Sequence, residues 1–304
     1  MGRDSHVVSV IIPTIGRDTL ARCLGALAEQ TRPPDEIITM VDRGRRGAAW
    51  TRNEGFRQAK GDLIGFIDDD ALAPPDWLER LVQAIDRYGA AAAGGTYRET
   101  DALLAAVRRR TPMPLTEQVD QGGLVGNAGN IVFSRAWLEQ CVAEDGYVFN
   151  PGFVGPGEDW ELIWRLRKRG ATLIYVPNPV THLRRTSLRQ HCRHSFQRGT
   201  GIALLYKLYR TDAGSVVVQN SLLWGRDGVK SQAKWGRAFW EKIVGPFDVW
   251  NFSKLRHFWQ FWIGEKCQAL GFLWEMVRRP EPAESVRRRC TMRPVPENNT
   301  EGST

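Results

Sequence analysis

The stretch Leu63-Ile64-Gly65-Phe66-Ile67-Asp68-Asp69-Asp70 reads as a buried strand that delivers three carboxylates at its C-terminal end. In an open α/β sheet, ligands bind beyond that end of the strands. Asp68 and Asp70, one residue apart, are spaced to reach a single hard cation, and such a cation bridges carboxylates to phosphate oxygens. Taken alone, the triplet reads more simply as a solvated acidic turn. Its neighbours separate the two readings.

Strand patterns at Val7–Ile12, Glu36–Val41, Leu63–Ile67 and Ala90–Gly95 alternate with helical patterns at Thr19–Gln30, Ala48–Ala59 and Pro75–Tyr88. The last has proline in its first turn and Leu78, Leu81, Val82 and Ile85 at helical spacing, a sound helix signature. Such alternation predicts βαβ units and a mostly parallel sheet. After Arg98 the pattern loosens. Thr100–Asp120 reads as a polar, basic loop or short helix, Gly122–Phe133 as extended, Arg135–Val142 as a short helix and Asn150–Gly157 as a loop. Asp159–Arg169 is strongly helical, Thr172–Val176 is a strand, and the chain turns helical again past Ser187.

With 304 residues and a formal charge of +8, the chain is long enough for one large α/β domain with an appendage. The basic excess is clustered at Arg43, Arg45 and Arg46, at Arg108–Arg110, at Arg184 and Arg185, and at Arg287–Arg289. Those clusters suit phosphate-bearing ligands or an anionic membrane surface. No helix-turn-helix, zinc-finger or single-strand-binding signature accompanies them, which argues against nucleic acid. Cys23, Cys141, Cys192, Cys267 and Cys290 lack C-x-x-C spacing, so neither a disulfide framework nor a zinc site is expected and a reducing cytoplasm is. The strand begins too near the N-terminus for a signal peptide, and no run approaches the roughly 20 apolar residues of a spanning helix.

Read in order, the motifs are Val10-Ile11-Ile12-Pro13-Thr14, Leu24 to Gln30-Thr31, Pro34-Asp35-Glu36-Ile37, Val41-Asp42, Arg52-Asn53-Glu54-Gly55, and Gly61-Asp62 into the acid triplet. Gly126-Asn127 to Asn130 and Phe133, Gly157-Glu158-Asp159-Trp160-Glu161-Leu162, Arg165-Leu166 and His182 follow. Over roughly residues 7–200 this series resembles the family 2 glycosyltransferases, which are inverting enzymes. The resemblance implies an α/β fold of the GT-A (nucleotide-diphospho-sugar transferase) type, with a mostly parallel mixed sheet flanked by helices and a C-terminal helical extension. Residues 1–210 would form the catalytic domain, 211–279 an aromatic-rich helical region and 280–304 a disordered tail.

The resemblance also implies roles. Asp70 would be the direct ligand of Mn2+ or Mg2+, with Asp68 beside the ribose or the metal's waters and His182 as a further ligand. Pro13, Thr14, Asp42, Arg52, Asn53, Asp68 and Asp69 would line the donor nucleotide, although Asp69 also reads as a plain surface charge. Arg43-Gly44-Arg45-Arg46 departs from the family pattern, which has a second acid and Gly-Ser there. Asp159, beside Glu158, would be the base that deprotonates the acceptor hydroxyl, a task suited to a partly desolvated carboxylate. Acids at a helix start also act as caps and oppose the macrodipole. Asn127, Asn130, Trp160, Arg184 and Arg185 are candidates for acceptor or phosphate contacts, and Trp160 equally for core packing. Gln190-His191-Cys192-Arg193-His194 gives the spacing of the processive Gln-x-x-Arg-Trp motif with histidine in place of tryptophan, so a single transfer is expected.

Between Trp224 and Trp274 lie seven of the twelve tryptophans. Leu255, Phe258, Trp259, Trp262 and Ile263 fall on one helical face, flanked by Lys254, Arg256, His257 and Lys266. That suits a membrane interface, and equally a helical subdomain packing on the core or on a second subunit in a homodimer. The expected enzyme is cytoplasmic, peripheral on the inner face of the membrane. It moves one sugar from a nucleoside-diphosphate donor, a UDP-sugar first, to a hydroxyl of a glycan or lipid-linked acceptor. A nucleotidyltransferase of similar topology and a non-catalytic transferase-like scaffold are the competing readings.

Overall fold

The computed structural model describes residues 6–44, 46–101, 105, 113–121, 124–125, 127–153, 155–209 and 255–278. Strand β1 (Val8–Thr14) lies between β2 (Glu36–Val41) and β3 (Leu63–Ile67), parallel to both. Helices α1 (Leu20–Ala28) and α2 (Ala48–Gln58) make the crossovers. The apolar runs of β1 and β3 are continuous because both faces of the sheet are covered. Val8, Val10, Ile12, Leu63 and Ile67 pack with Cys23, Leu27 and the apolar face of α3 (Trp77–Tyr88). Ile11, Ile64 and Phe66 face the opposite way, towards Ala49 and Phe56 of α2. Phe66 meets Phe133 and Phe149 edge-on. Helix α3 stops at Gly89, whose φ of +57° closes it in the left-handed conformation that suits glycine.

Beyond β3 the sheet ceases to be purely parallel. With β5 (Ala92–Gly94), β7 (Gln118–Val119), β8 (Asn130–Ser134) and β9 (Leu173–Tyr175), the order is β2-β1-β3-β8-β5-β9-β7. β8 runs antiparallel to β3 and β5, and β7 antiparallel to β9. Of the extended Gly122–Phe133 reading, Asn130–Phe133 is strand, in β8, while the described residues before it form bends and turns. Gln118–Val119, expected in a loop or short helix, becomes an edge strand. A second sheet was not anticipated: β4 (Ala71–Leu72), β10 (Val180–His182) and β6 (Tyr97–Glu99), in the order β4-β10-β6. Its register sets His182 beside Ala71 and Glu99. Strands of two or three residues carry too little periodicity to be read from sequence.

Helices α4 (Arg135–Asp145) and α5 (Glu158–Lys168) cover the second face, and α6 (Leu188–Tyr209) packs on α5 through Phe153, Trp164, Leu205, Leu208 and Tyr209. The Tyr209 hydroxyl donates to buried Glu161, which also accepts from Arg165 Nε at 2.9 Å. Helix α7 (Leu255–Arg278) lies along α6 at close range. A methyl group at Gly199 would overlap the Gln268 carbonyl, and one at Gly271 the Phe196 carbonyl. Gly201 meets the Pro156 carbonyl in the same way, so α6 is a direct brace for the loop that opens α5. On its outer side α7 exposes Leu270, Leu273, Trp274 and Val277.

The side chains of Leu255, Phe258, Trp259 and Trp262, most of the tryptophan-rich segment, Arg45, Arg108–Arg110, Gly126 and the 280–304 tail lie outside the described residues. Among those described, no helix is long and apolar enough to cross a membrane, and Cys23, Cys141, Cys192 and Cys267 are free thiols.

Candidate active site

The three acids after β3 divide into three environments. Asp68 accepts from Arg52 Nη2 at 3.0 Å through one oxygen and from the Tyr97 hydroxyl at 2.6 Å through the other. Backbone at Gly129 lies so close that any side chain there would overlap the Tyr97 hydroxyl and the Asp68 carboxylate, which accounts for glycine at that position. Asp69, readable as a surface charge from sequence, is only 2% exposed. It accepts from Thr14 Oγ1 at 2.5 Å and from Arg17 Nη1 at 2.7 Å, and burial raises its pKa. A buried carboxylate with two donors is a structural post of the site.

Asp70 has a cationic group at each oxygen: Arg17 Nη1 at 3.0 Å and His182 Nε2 at 3.2 Å. His182 Nδ1 sits 2.8 Å from Glu99 Oε2, and its ring stacks on Tyr97 at 4.8 Å. Burial opposes the charged imidazole, but Asp70 and Glu99 outweigh it and push the His182 pKa up to about 9. Burial likewise opposes the Asp70 carboxylate, yet His182 and Arg17 bring its pKa below the ordinary value. Glu99 fixes which imidazole nitrogen faces Asp70, the arrangement that orients metal-ligating histidines.

The second half of the site hangs on Arg52. Its buried guanidinium bridges Asp68 and Glu158, with Nη1 2.7 Å from Glu158 Oε1. It is no surface arginine. Neighbouring Asp159, at the start of α5, accepts from the Trp160 backbone N–H at 2.9 Å. Burial and the Glu158 carboxylate, opposed by Arg52, push its pKa up to about 7. Such a value places a carboxylate near the working range of a general base. Arg52 Nε and Glu158 Oε2 are buried without a hydrogen-bond partner.

Other candidates have different occupations. Asp42 accepts from the backbone N–H groups of Arg46 and Gly47 at 2.9 and 2.8 Å, shaping the turn into α2. Arg46 places its guanidinium over the Trp50 ring, 4.4 Å from the centroid. Asn53 spends its amide on the backbone of Phe149, at 2.7 and 2.8 Å. Asn130 is fully buried and bonds Trp77, Thr96 and Asn178; it ties the two sheets together and does not face an acceptor. Trp160 packs towards Trp164 and its companions, with Arg198 over its ring at 5.3 Å. Asn127 and Pro13 are partly buried, and Arg185 is exposed. Arg184 is partly buried and within electrostatic reach of Asp70, Arg17 and Glu99, and burial lowers its pKa. Sequence reasoning missed Arg17, Tyr97 and Glu99. The only signal for the last two was the alternation in Tyr97-Arg98-Glu99, without meaning until β10 lies beside it.

Among the described residues no three or more His, Cys, Asp or Glu side chains cluster as a metal site. Asp70 nonetheless suits a hard divalent ion in the manner of magnesium at phosphates, which takes one or two carboxylates and leaves the rest to phosphate and water; His182, 3.2 Å from Asp70, would join it only as the neutral imidazole. The Arg17 guanidinium already stands on the Asp69 and Asp70 oxygens as a positive charge would.

Residues 38–141 match the family model for glycosyl transferase family 2. One relative is the glucosyl-dolichyl phosphate glucuronosyltransferase of Haloferax volcanii, 38% identical over 63 residues, or 20% of each chain. Another is the validoxylamine A glucosyltransferase of Streptomyces hygroscopicus subsp. limoneus, 32% identical over 114 residues, covering 27% of this chain and 25% of that one. The matches thus span a fifth to a quarter of those curated relatives. Among solved structures, the mannosyltransferase PcManGT from Pyrobaculum calidifontis, in complex with GDP-Man and Mn2+, aligns over 89% of this chain and 88% of its own. Its TM-score is 0.58 at 16% identity, a likeness of fold, and the shared architecture is the GT-A fold. Over residues 38–141 the chain is similar to the family 2 glycosyltransferases.

Proposed function

We propose that this chain is an inverting, single-transfer glycosyltransferase that uses a nucleoside-diphosphate sugar and a divalent cation, with Asp159 as base. The observation that carries the reading is the buried Arg52 bridge from Asp68 to Glu158. It ties the acid triplet that ends in Asp70 to Asp159, a carboxylate poised near neutrality. Asp70 and His182 would hold Mn2+ or Mg2+, which when bound neutralises charge developing on the departing diphosphate. Arg184 faces the same region and adds positive charge there.

In the transfer, the acceptor oxygen forms its bond to the anomeric carbon on the face opposite the leaving group. The bond from that carbon to the diphosphate oxygen breaks, and the acceptor's proton passes to Asp159. Arg52, shared between Asp68 and Glu158, keeps Asp159 from being protonated outright, while Glu158 keeps it basic. The acceptor is a hydroxyl of a glycan or lipid-linked saccharide. The exposed apolar side of α7 supports peripheral contact with a membrane surface.

The test pairs product analysis with one substitution. Incubated with Mn2+, sugar nucleotides and acceptor extracts, the protein is expected to release nucleoside diphosphate. Asp159→Asn is expected to lower transfer by about 10²–10⁴-fold while retaining donor binding in a thermal-shift panel. Release of pyrophosphate would mean a nucleotidyltransferase. Undiminished transfer by the variant would remove Asp159 from the role.

A further inference from the structure

Arg17 stands on the carboxylate read above as the cation's ligand. Its Nη1 lies 2.7 Å from Asp69 Oδ1 and 3.0 Å from Asp70 Oδ2. The arginine side chain is 47% exposed, against 2% and 8% for the two carboxylates. The acids are buried, and the guanidinium that pairs with them stands at the solvent edge. Its loop is built for that place. Thr14 Oγ1 donates to Asp69 and accepts from the Gly16 N–H at 2.9 Å, and Gly16, at φ +85°, turns the chain so that Arg17 reaches back over the strand ends. His182 holds the second oxygen of Asp70, so a divalent ion reaching the first one meets the Arg17 guanidinium. Arg184 adds a third cation nearby.

We propose that Arg17 is the counter-ion that a divalent cation displaces from Asp70, and that the displaced guanidinium then pairs with the diphosphate of the donor. The inference rests on the donor-site reading above and adds a consequence to it. Cation binding to the empty protein is weak, because a positive charge must leave the acids with no new partner. The diphosphate supplies that partner, so cation and nucleotide each tighten the other's binding, as reciprocal linkage requires. Arg17 thereby withholds the cation from a site without donor.

The experiment is an electron-paramagnetic-resonance titration of Mn2+ alone onto the full-length, nucleotide-free protein, comparing wild type with Arg17→Met, Arg17→Lys and Asp70→Asn. The Met variant is expected to bind Mn2+ about tenfold more tightly, within the usual range of coupling between ligands. The Lys variant, which keeps the charge, is expected to stay close to wild type, and the Asn variant to bind much more weakly. Adding UDP is expected to tighten Mn2+ binding less in the Met variant than in wild type. A merely structural role for Arg17 would loosen the loop and weaken Mn2+ binding, the opposite sign. Arg17→Gln serves in place of the Met variant if that fails to fold, as judged by its melting temperature.

Unchanged or weaker binding in the uncharged Arg17 variant, with Asp70→Asn impaired, overturns the inference and leaves the donor site standing. If Asp70→Asn binds Mn2+ as wild type does, or if no form binds it, the cation-site reading fails and the inference with it.

Discussion

Replacing Glu158 by Gln tests whether Asp159 is the titrating base. The amide oxygen still accepts from Arg52 Nη1, now at 2.7 Å from Glu158 Oε1, so the change removes a charge with little change of shape. Carboxylates on consecutive residues at one helix start lie roughly 6 Å apart, where an effective dielectric near 20 gives a repulsion of about 3 kcal/mol. That corresponds to about 2 pKa units. Arg52 is shared with Asp68 and already screens part of the Glu158 charge, so a shift of about 1–2 units is expected. Asp159 starts at about 7, with burial and Glu158 as the causes that raise it. Its active form is the carboxylate, so the acid limb of kcat/KM should move from near pH 7 towards about pH 5.5. At pH 6 the rate relative to plateau should rise from about a tenth to about three quarters. The assay is the initial rate of nucleoside-diphosphate release between pH 4.5 and 9, at donor well below KM. A limb that stays put, or moves to higher pH, refutes the assignment of the limb to Asp159 under the influence of Glu158.

Other consequences follow from single contacts. Gly129→Ala puts a methyl group into the Tyr97 hydroxyl and Asp68 carboxylate, and is expected to raise donor KM at least about tenfold with a smaller loss of melting temperature, read by kinetics and calorimetry together. Tyr209→Phe removes a donor to the buried Glu161 carboxylate; urea unfolding should show a loss of about 1–3 kcal/mol. His6 has its pKa raised chiefly by its bond to Asp62, with Asp86 assisting. Its contribution to stability is complete below pH 6.5 and disappears as pH rises through the folded-state value. His6→Gln should therefore cost up to about 1 kcal/mol at pH 5.5 and nothing at pH 9, where a loss equal at both pH values would contradict the pairing.

What was legible in the sequence follows the length of each signal. The runs Val7–Ile12, buried from Val8 onward, and Leu63–Ile67 announce strands because both faces of the sheet are covered, and α3 announces itself by four apolar residues at helical spacing. The antiparallel insertion of β8 and the small β4-β10-β6 sheet were not legible, because pairing between residues 71, 97 and 182 is a long-range property of short segments. For the same reason Asp70 and His182 could be named but Glu99 and Tyr97 could not. Arg52 shows the limit from the other side. Its position on α2 was readable, but its burial between Asp68 and Glu158 required the closure of a loop about a hundred residues downstream. Asn53 and Asn130, read as contacts to ligands, turn out to satisfy backbone groups at Phe149, Thr96 and Asn178, a common fate of buried amides.

The consecutive acids make physical sense once their partners are known. Successive side chains leaving a strand point to opposite sides. Asp68 and Asp70 diverge from that alternation at the strand end, where one goes to Arg52 and the other to His182 and Arg17. Asp69, between them, is pinned by Thr14. From Asp70 a line of alternating charge runs outward through His182 to Glu99, and from Asp68 another runs through Arg52 to Glu158, beside which Asp159 sits as a second acid. The proposed cation ligand and the proposed base are therefore fixed relative to each other by two covalently adjacent steps of backbone and one buried arginine. Up to Glu158 each buried charge is compensated by the next, which is the condition for keeping such groups out of water; Asp159, next to a like charge, is the exception, and its pKa is raised. A change at Arg52 strands charge on both branches at once. For that reason cation affinity and the pKa of Asp159 should fail together when Arg52 is lost, although the two functions belong to opposite ends of the site.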